Sequence, residues 1–443
     1  MQSEPAPATT PPIDPARIDP DAKKVIRRLK QHHHKAYLVG GCVRDLLLDE
    51  TPKDFDIATS ARPRQVRRLF RNSRIIGRRF RLVHIRFGDR ILDVATFRRA
   101  PPKTEDDPYV TADNAFGSER EDAFRRDFTI NGLFYDVVEE RVVDHVGGME
   151  DLAQRRLRTI GDAEFRVQED PVRILRAARF AGRLGFTLCD ELRDAARRHG
   201  GDLRKGAPPR VLEELYRLVT TRGAARCFRM LEELGGLAPL LPEIVPLTDR
   251  FYESLERVEE QFGGVRGLEW QWLAFAVLLS PFAIREMLAC SGKDVDVLLA
   301  EKLGSIAARL TVARRDSTRA RLCLAAQARF LEPPQGRTAR RFAQRDFFSD
   351  ALVLRHILGP LEDVDPDPLP AWEELQRPPG GSPPKRRRRR SRRGGKRRRL
   401  KRGAGEGRDE ACEPTSPSSS APAPETPPAP SPKDSSNGGS PPA

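Results

Sequence analysis

The chain has 443 residues, with 79 Lys or Arg against 64 Asp or Glu, a net charge of +15 and a hydrophobic fraction of 38%. That length excludes a single small domain, and the basic balance points to a polyanionic partner. The surplus is concentrated: 385–402 holds 14 basic residues and no acid, 403–443 carries 2 basic and 6 acidic, and 1–384 nets only +5. The strongest apolar run, Leu273–Leu279, is far short of the ~20 residues that cross a bilayer. The N-terminus, MQSEPAPATTPPIDP, lacks the basic-then-apolar order of a signal peptide. Six scattered cysteines form no CxxC pair or zinc spacing, which suits reduced structural thiols. A soluble cytoplasmic protein with no membrane partner is the expectation.

In chain order, residues 1–20 are rich in Pro, Ala and Thr and are expected to be disordered. Structure is expected from Asp21, where Val25, Ile26 and Leu29 have helical spacing. AYLVGG (36–41) reads as a strand running into two glycines, CVRDLLL (42–48) as a short helix, FDIAT (55–59) as a strand and RPRQVRRLF (62–70) as a helix. RLVHIRF (81–87) and ILDVATF (91–97) read as strands joined by the turn Gly88-Asp89-Arg90, and 100–118 as a mobile polar loop. From Glu121 a helix is expected through RRDFTINGLFYD, then a hairpin-like segment ending at VGGMEDL (146–152). Beyond Asp162 strand signals vanish and apolar residues recur at helical intervals as far as FFSDALVLRHILG (347–359). After Pro379, Arg, Pro, Ser and Gly dominate, so the last ~65 residues are expected to be disordered. The coarse architecture is an α+β head followed by an all-helical body.

Two constellations carry chemistry. Gly40-Gly41, between a strand and a helix, lets backbone N–H groups approach an anion, and Arg44 lies one turn further on. Asp54 and Asp56, two residues apart in a strand-forming context, project from one face. Two such carboxylates repel unless a cation lies between them, and Mg²⁺ prefers carboxylate and phosphate oxygens. For a third carboxylate both Asp93, in an otherwise apolar strand, and Asp127, in RRDFTIN, are candidates. The second constellation is EDPVRILRAARF (169–180). Pro171 suits the first helical position and Asp170 an N-cap, a reading that leaves Arg173, Arg176 and Arg179 on three turns of one helix unexplained. Asp170 and Arg173, at three-residue spacing, offer an acceptor and donors to a base edge, and the other arginines suit a triphosphate. His32-His33-His34 point in different directions on a helix and make a poor metal cage, while Trp270, Trp272 and Phe275 read as core.

LVGGCVRDLLLDETPKDFDIATSARP, RRDFTINGLFYD and EDPVRILRAARFAGRLGF resemble, in order and spacing, the class II nucleotidyltransferases, which comprise bacterial poly(A) polymerases and tRNA CCA-adding enzymes. The resemblance covers 36–186 strongly and 211–242 more weakly. It implies a polymerase-beta-like α+β nucleotidyltransferase head with a mixed sheet, followed by an all-helical neck, body and tail. The domain reading is then 1–20 disordered; 21–161 catalytic head; 162–255 helical neck and RNA-binding body; 256–378 helical C-terminal domain; 379–443 Arg-rich, then Pro/Ser-rich tail. The resemblance also implies roles. Gly40, Gly41 and Arg44 would hold the nucleotide phosphates, with Arg126 near the nucleotide. Asp54 and Asp56 would bind two Mg²⁺ ions, and Asp127 would be a further catalytic acid. Asp170 and Arg173 would read the incoming base, supported by Arg176 and Arg179. Asp93 occupies a position that is usually acidic in the family. RNSRIIGRRFRLVHIRFG (71–88), with basic residues before Leu82-Val83-His84, resembles the poly(A) polymerase branch. The implied activity is ATP-dependent addition of AMP to RNA 3′ ends, with mRNA and other transcripts as partners. A tRNA CCA-adding enzyme and a non-catalytic RNA-binding protein are the alternatives.

The Arg-rich arm comprises Lys385, Arg386, Arg387, Arg388, Arg389, Arg390, Arg392, Arg393, Lys396, Arg397, Arg398, Arg399, Lys401 and Arg402. It has no interleaved aromatic residue, so it suits sequence-blind, salt-dependent tethering of RNA rather than base stacking. Deleting the chain from Lys385 onward is expected to weaken RNA binding at low salt and to leave ATP binding intact. Equal RNA affinity of the shortened and full chains in a filter-binding titration would refute this role.

Overall fold

The first ordered turn forms where the composition is least promising. In the computed structural model, which describes residues 13–77, 81–99, 116–262, 271–289, 295–360 and 367–376, Pro15–Arg17 is a 3-10 turn capped by the Asp14 side chain. Ile13 and Ile18 on either side of it are buried, Ile18 at 1% exposure. Asp19 then caps helix α1 (Pro20–Gln31) by accepting from the Asp21 and Ala22 N–H groups. The expected disorder of 1–20 therefore fails from residue 13: two isoleucines and two capping aspartates anchor a stretch that its Pro and Ala content marks as loose.

The head is a seven-stranded mixed sheet. Its strands are β1 (Ala36–Val39), β2 (Ile57–Thr59), β3 (Ser73–Ile76), β4 (Leu82–Phe87), β5 (Arg90–Thr96), β6 (Leu133–Asp136) and β7 (Arg141–Asp144), in the spatial order β3-β4-β5-β2-β1-β6-β7. Only β2 and β5 are parallel. Helices α2 (Gly41–Leu47), α3 (Pro63–Leu69), α4 (Glu119–Phe124) and α5 (Gly148–Ala153) connect or flank the strands. β1 and β6 are central and wholly buried. On one face Tyr37, Phe97 and Phe134 form an aromatic cluster with centroids 5.9–6.3 Å apart. Leu38 packs instead into the main core with Val25, Ile26 and Leu29 of α1.

The helix expected through RRDFTINGLFYD is not formed. α4, with Ser118 and Glu121 as a capping box, ends at Phe124; Thr129–Asn131 is a 3-10 turn; Leu133–Asp136 is strand β6, paired with both β1 and β7. Continuous apolar character suits a buried central strand as well as a buried helix, so periodicity alone misassigns it. Of the loop expected at 100–118, residues 100–115 lie outside the described residues. Phe116 bridges Arg98 and Ser118 caps α4, so the end of that loop is fixed.

Beyond the head come α6 (Ala163–Glu169), α7 (Val172–Leu184), α8 (Asp190–His199), α9 (Pro208–Thr220), α10 (Ala224–Glu233), α11 (Leu237–Leu240), α12 (Asp249–Phe262), α13 (Gln271–Ala289), α14 (Val295–Arg309), α15 (Arg314–Ala326), α16 (Gly336–Ala343), α17 (Phe348–Leu358) and α18 (Leu369–Gln376). One short strand lies beyond Asp162, β9 (Thr187–Leu188), which pairs with β8 (Arg156–Leu157) and is too short to show in a pattern. α7 and α10 approach so closely at Gly182 that a Cβ there would lie 2.5 Å from the Cys227 amide. α13 extends past the predicted apolar run through Pro281 and is, by length and composition, apolar enough to cross a membrane; 72% of that window is buried inside the protein, including Trp272 and Phe275. Trp270 and the arm 385–402 lie outside the described residues.

Ile18→Ala is expected to destabilise the protein by about 2–5 kcal/mol, the range for truncating a buried isoleucine. A denaturation midpoint that does not move on this substitution would show that the N-terminal turn is not part of the core.

Candidate active site

Everything converges on the end of β1. The Val39 amide donates to the Asp56 carbonyl at 3.0 Å and the Gly40 amide donates to the Leu133 carbonyl at 3.0 Å, so the glycine turn is pinned between the segment entering β2 and that entering β6. Gly40 has φ +73°, so the backbone requires glycine, and the mobile end of the Arg126 side chain lies beside it, with Nη1 2.9 Å from where a Cβ would stand. Gly41 opens α2.

Asp54 and Asp56 stand just before β2 rather than on it, since the strand begins at Ile57. Both still line the same cleft of about 600 Å³ as Gly40 and Gly41. Asp54 is well exposed, its side chain at 74%, with Lys53 4.0 Å away. Asp56 lies open to the cleft, but the surrounding protein thins its solvation and raises its carboxyl above the ordinary value; Asp93 and Asp54 raise it too, and Arg126 opposes them. The parallel register of Ile57 with Val94, extended by one residue, sets Asp56 beside Asp93. Asp93 also faces His84 across β4 and β5, with Nε2 3.1 Å from Oδ1.

Asp127, the other candidate for a third carboxylate, is committed elsewhere. It accepts from Arg176 Nε at 2.8 Å, from Asn131 Nδ2 at 3.2 Å and from its neighbour's amide, Phe128 N–H, at 2.8 Å. Burial works against its charge, yet Arg176, Asn131 and the amide outweigh it and hold the carboxyl below the usual range. It lines the cleft as a positioning acid, and Asp93 is the carboxylate next to Asp56. The donor chemistry of Asp54 and Asp56, with like charges already crowding Asp56, fits Mg²⁺, which commonly takes one or two carboxylates and completes its shell with water and substrate phosphate. Among the described residues no three His, Cys, Asp or Glu side chains gather into a full protein cage.

The arginines are less solvated than an Arg-rich helix suggests. Arg44, 2% exposed, donates through Nε and Nη2 to Asp45 and through Nη1 to Asn131 at 2.5 Å, so much of its fork braces the turn instead of facing a phosphate. Arg126 donates to Asp122 and to the Asn131 carbonyl. Arg176 and Arg179 both reach Glu214 of α9, at 3.7 and 2.9 Å. Asp170 and Arg173, expected to face a base edge together, hold other side chains in this structure. Asp170 closes α6, leaving Pro171 as the residue before α7, and its carboxylate holds Arg210 of α9 at 2.6 Å, whereas Arg173 pairs with Glu169 at 2.7 Å. Only backbone joins them, Arg173 N–H to the Asp170 carbonyl at 3.0 Å. Both residues nevertheless line the cleft.

Ten basic and five acidic side chains line that cleft. Sequence reasoning missed Asn131, Arg183, Arg210, Glu214 and Arg217. Glu214 had a signal: in VLEELYRL it falls on the apolar face with Val211, Leu215 and Leu218, where an unpaired carboxylate is untenable.

A family model described as "Poly A polymerase head domain" matches residues 36–158, and one described as "Probable RNA and SrmB- binding site of polymerase A" matches 185–247. The chain is 44% identical over 254 residues to poly(A) polymerase I of Salmonella typhi, covering 55% of each chain; it thus spans about half the length of such relatives. It is 33% identical over 285 residues to the CCA-adding enzyme of Anoxybacillus flavithermus, covering 61% of this chain and 69% of that one. The crystal structure of the Bacillus stearothermophilus CCA-adding enzyme in complex with CTP superposes with a TM-score of 0.59 at 27% identity, covering 81% of this chain and 82% of that one. With the glycine turn, the DxD pair and the arginine-lined cleft in place, the chain belongs to the class II nucleotidyltransferase family of bacterial poly(A) polymerases and CCA-adding enzymes.

Proposed function

We propose that this protein is a template-independent RNA nucleotidyltransferase that transfers AMP from ATP to RNA 3′ ends in the cytoplasm, acting in polyadenylation during mRNA processing and decay. The observation that carries this reading is the placing of Asp54 and Asp56, with Asp93 beside Asp56, in one cleft with the Gly40-Gly41 turn and ten basic side chains. Asp54 and Asp56 would hold the Mg²⁺ ions, which supply charge neutralisation at the reacting phosphate and favour the 3′-oxygen as nucleophile. The turn amides and the cleft arginines bind the triphosphate, with the Arg126 guanidinium beside the turn. Asp127 holds Arg176 in line, leaving its charge directed at the cleft.

Without a template, base choice must come from protein hydrogen bonds. Asp170 and Arg173 supply them by exchanging Arg210 and Glu169 for the edge of the adenine, a competition that a base with the wrong donor pattern loses. The higher identity to a poly(A) polymerase I, 44% against 33%, and the basic segment before Leu82-Val83-His84 favour AMP addition. The CCA-adding alternative draws on the fold likeness to an enzyme bound to CTP.

Product lengths on generic RNA and on tRNA, with ATP or CTP alone, separate the readings: long oligo(A) on either RNA supports the proposal, and cytidine addition restricted to tRNA overturns it in favour of CCA addition. Asp54→Ala is expected to abolish nucleotide addition with the unfolding midpoint unchanged; normal extension by that variant refutes the metal assignment. Asp170→Ala is expected to lower the ATP-over-CTP ratio of kcat/KM by about tenfold or more. An unaltered ratio means that the base is read elsewhere.

A further inference from the structure

Far along the chain from the cleft, and beyond residue 247 where the family models stop, a second surface is built for a polyanion. Residues 329–345 contain five arginines, Arg329, Arg337, Arg340, Arg341 and Arg345, against a single acid, Glu332. All five are exposed, and among the described residues none is ion-paired with a carboxylate. That separates them from the cleft arginines, most of which are neutralised by named partners.

The local fold explains why they stay free. Helix α16 buries Ala339 and Phe342 and turns Arg337, Arg340 and Arg341, at i, i+3 and i+4, to solvent as one stripe. Phe342 is locked edge-on among Phe330, Phe348 and Trp372, with centroids 5.5–6.0 Å away, so the stripe sits on a rigid base. Arg329 lies 4.8 Å over the Phe342 ring, an orientation fixed without using up its donors. Between α15 and α16 runs a groove of about 430 Å³ with Leu322, Phe342 and Phe347 in its floor and Arg329, Arg341 and Arg345 on its walls. Its acid, Asp296, is already taken by Arg321.

We propose that this groove and the α16 stripe form a sequence-blind holding site for single-stranded RNA upstream of the 3′ end. Guanidinium forks on the walls match phosphate oxygens bidentately, and the half-buried Phe347 ring with Leu322 gives bases an apolar surface that does not read them. An acidic helical peptide fits less well, because helix docking needs apolar anchors across two turns and the outer face of α16 offers arginine along its length. The inference goes beyond the reading above, which concerns only the nucleotide and the 3′ end.

The test is the full-length triple variant Arg337→Gln, Arg340→Gln, Arg341→Gln, with ATP binding and thermal unfolding as references for a correct fold. A labelled single-stranded RNA of about 30 nucleotides is expected to bind about tenfold more weakly at low salt, with the slope of log affinity against log salt shallower by about 2, since each lost contact to a single strand removes about 0.7. Unchanged affinity and slope overturn the proposal. So does unchanged RNA binding accompanied by loss of binding to poly-glutamate, which would assign the groove to an acidic protein. A wild-type protein that holds RNA through these arginines yet adds no nucleotide keeps the groove and sinks the enzymatic reading, so the two fail separately.

Discussion

A chain of buried charges holds the two halves of the cleft together. Asp127, in the turn after α4, grips Arg176 of α7; Arg176 and Arg179 of the same helix meet Glu214 of α9; Arg217, one turn on, meets Glu214 at 3.0 Å. Head, α7 and α9 are thereby registered by ion pairs rather than by shape alone. Glu214 is 4% exposed and Arg179 8%, so these are not the near-neutral pairs of a protein surface. Removing one partner of such a pair strands the other and costs about 3–5 kcal/mol, while the intact set contributes little net stability against an apolar replacement. A network of that kind is kept for what it positions. Here it fixes the orientation of the arginines that face the cleft, with Arg176 held by Asp127 and Glu214 together.

The carboxylates obey the opposite logic. Among the described residues Asp56 forms no ion pair, Arg126 favours its charge only from a distance, and Asp93 and Asp54 make that charge harder to hold. The Val39–Asp56 backbone bond fixes that crowded acid to the phosphate-cradling turn, so the two halves of the chemistry cannot drift apart without breaking the β1–β2 ladder. Asp56, crowded by like charge at the open end of a sheet and beside arginines most of which hold carboxylates, suits a cation supplied from outside the chain.

Much of this was legible in the residues. Gly40-Gly41, Asp54, Asp56, Asp127 and the arginines of α7 are all brought to one cleft, because each sits in a short local signal whose spacing survives folding. What was not legible depends on register and partner choice. That Asp93, not Asp127, stands beside Asp56 follows from the parallel pairing of β2 and β5, set by strands 37 residues apart. That Asp170 holds Arg210 follows from how α9 packs on α7, which local spacing cannot foresee, whereas Arg173 takes the i, i+4 partner Glu169 in place of the i, i+3 neighbour Asp170. The buried strand β6 reads as helix because three apolar residues in a row, Leu133 to Tyr135, show no period of two, and Ile13 and Ile18 are masked by the prolines around them.

The distribution of positive charge then has a physical sense of its own. Inside the cleft, arginine is balanced by Asp45, Asp127, Asp170 and Glu214, which lowers the self-repulsion of ten basic groups in one cavity and makes the affinity for any single phosphate moderate. On α16 and in 385–402 arginine carries no such balance. Contacts of the second kind release counterions, are blind to sequence, and weaken together as salt rises. Under the proposed reading, in which the RNA shifts by one nucleotide after every addition, this division is useful. Discrimination would then sit where charges are paired and geometry is fixed, and grip where arginine is in excess and contacts are blind to sequence.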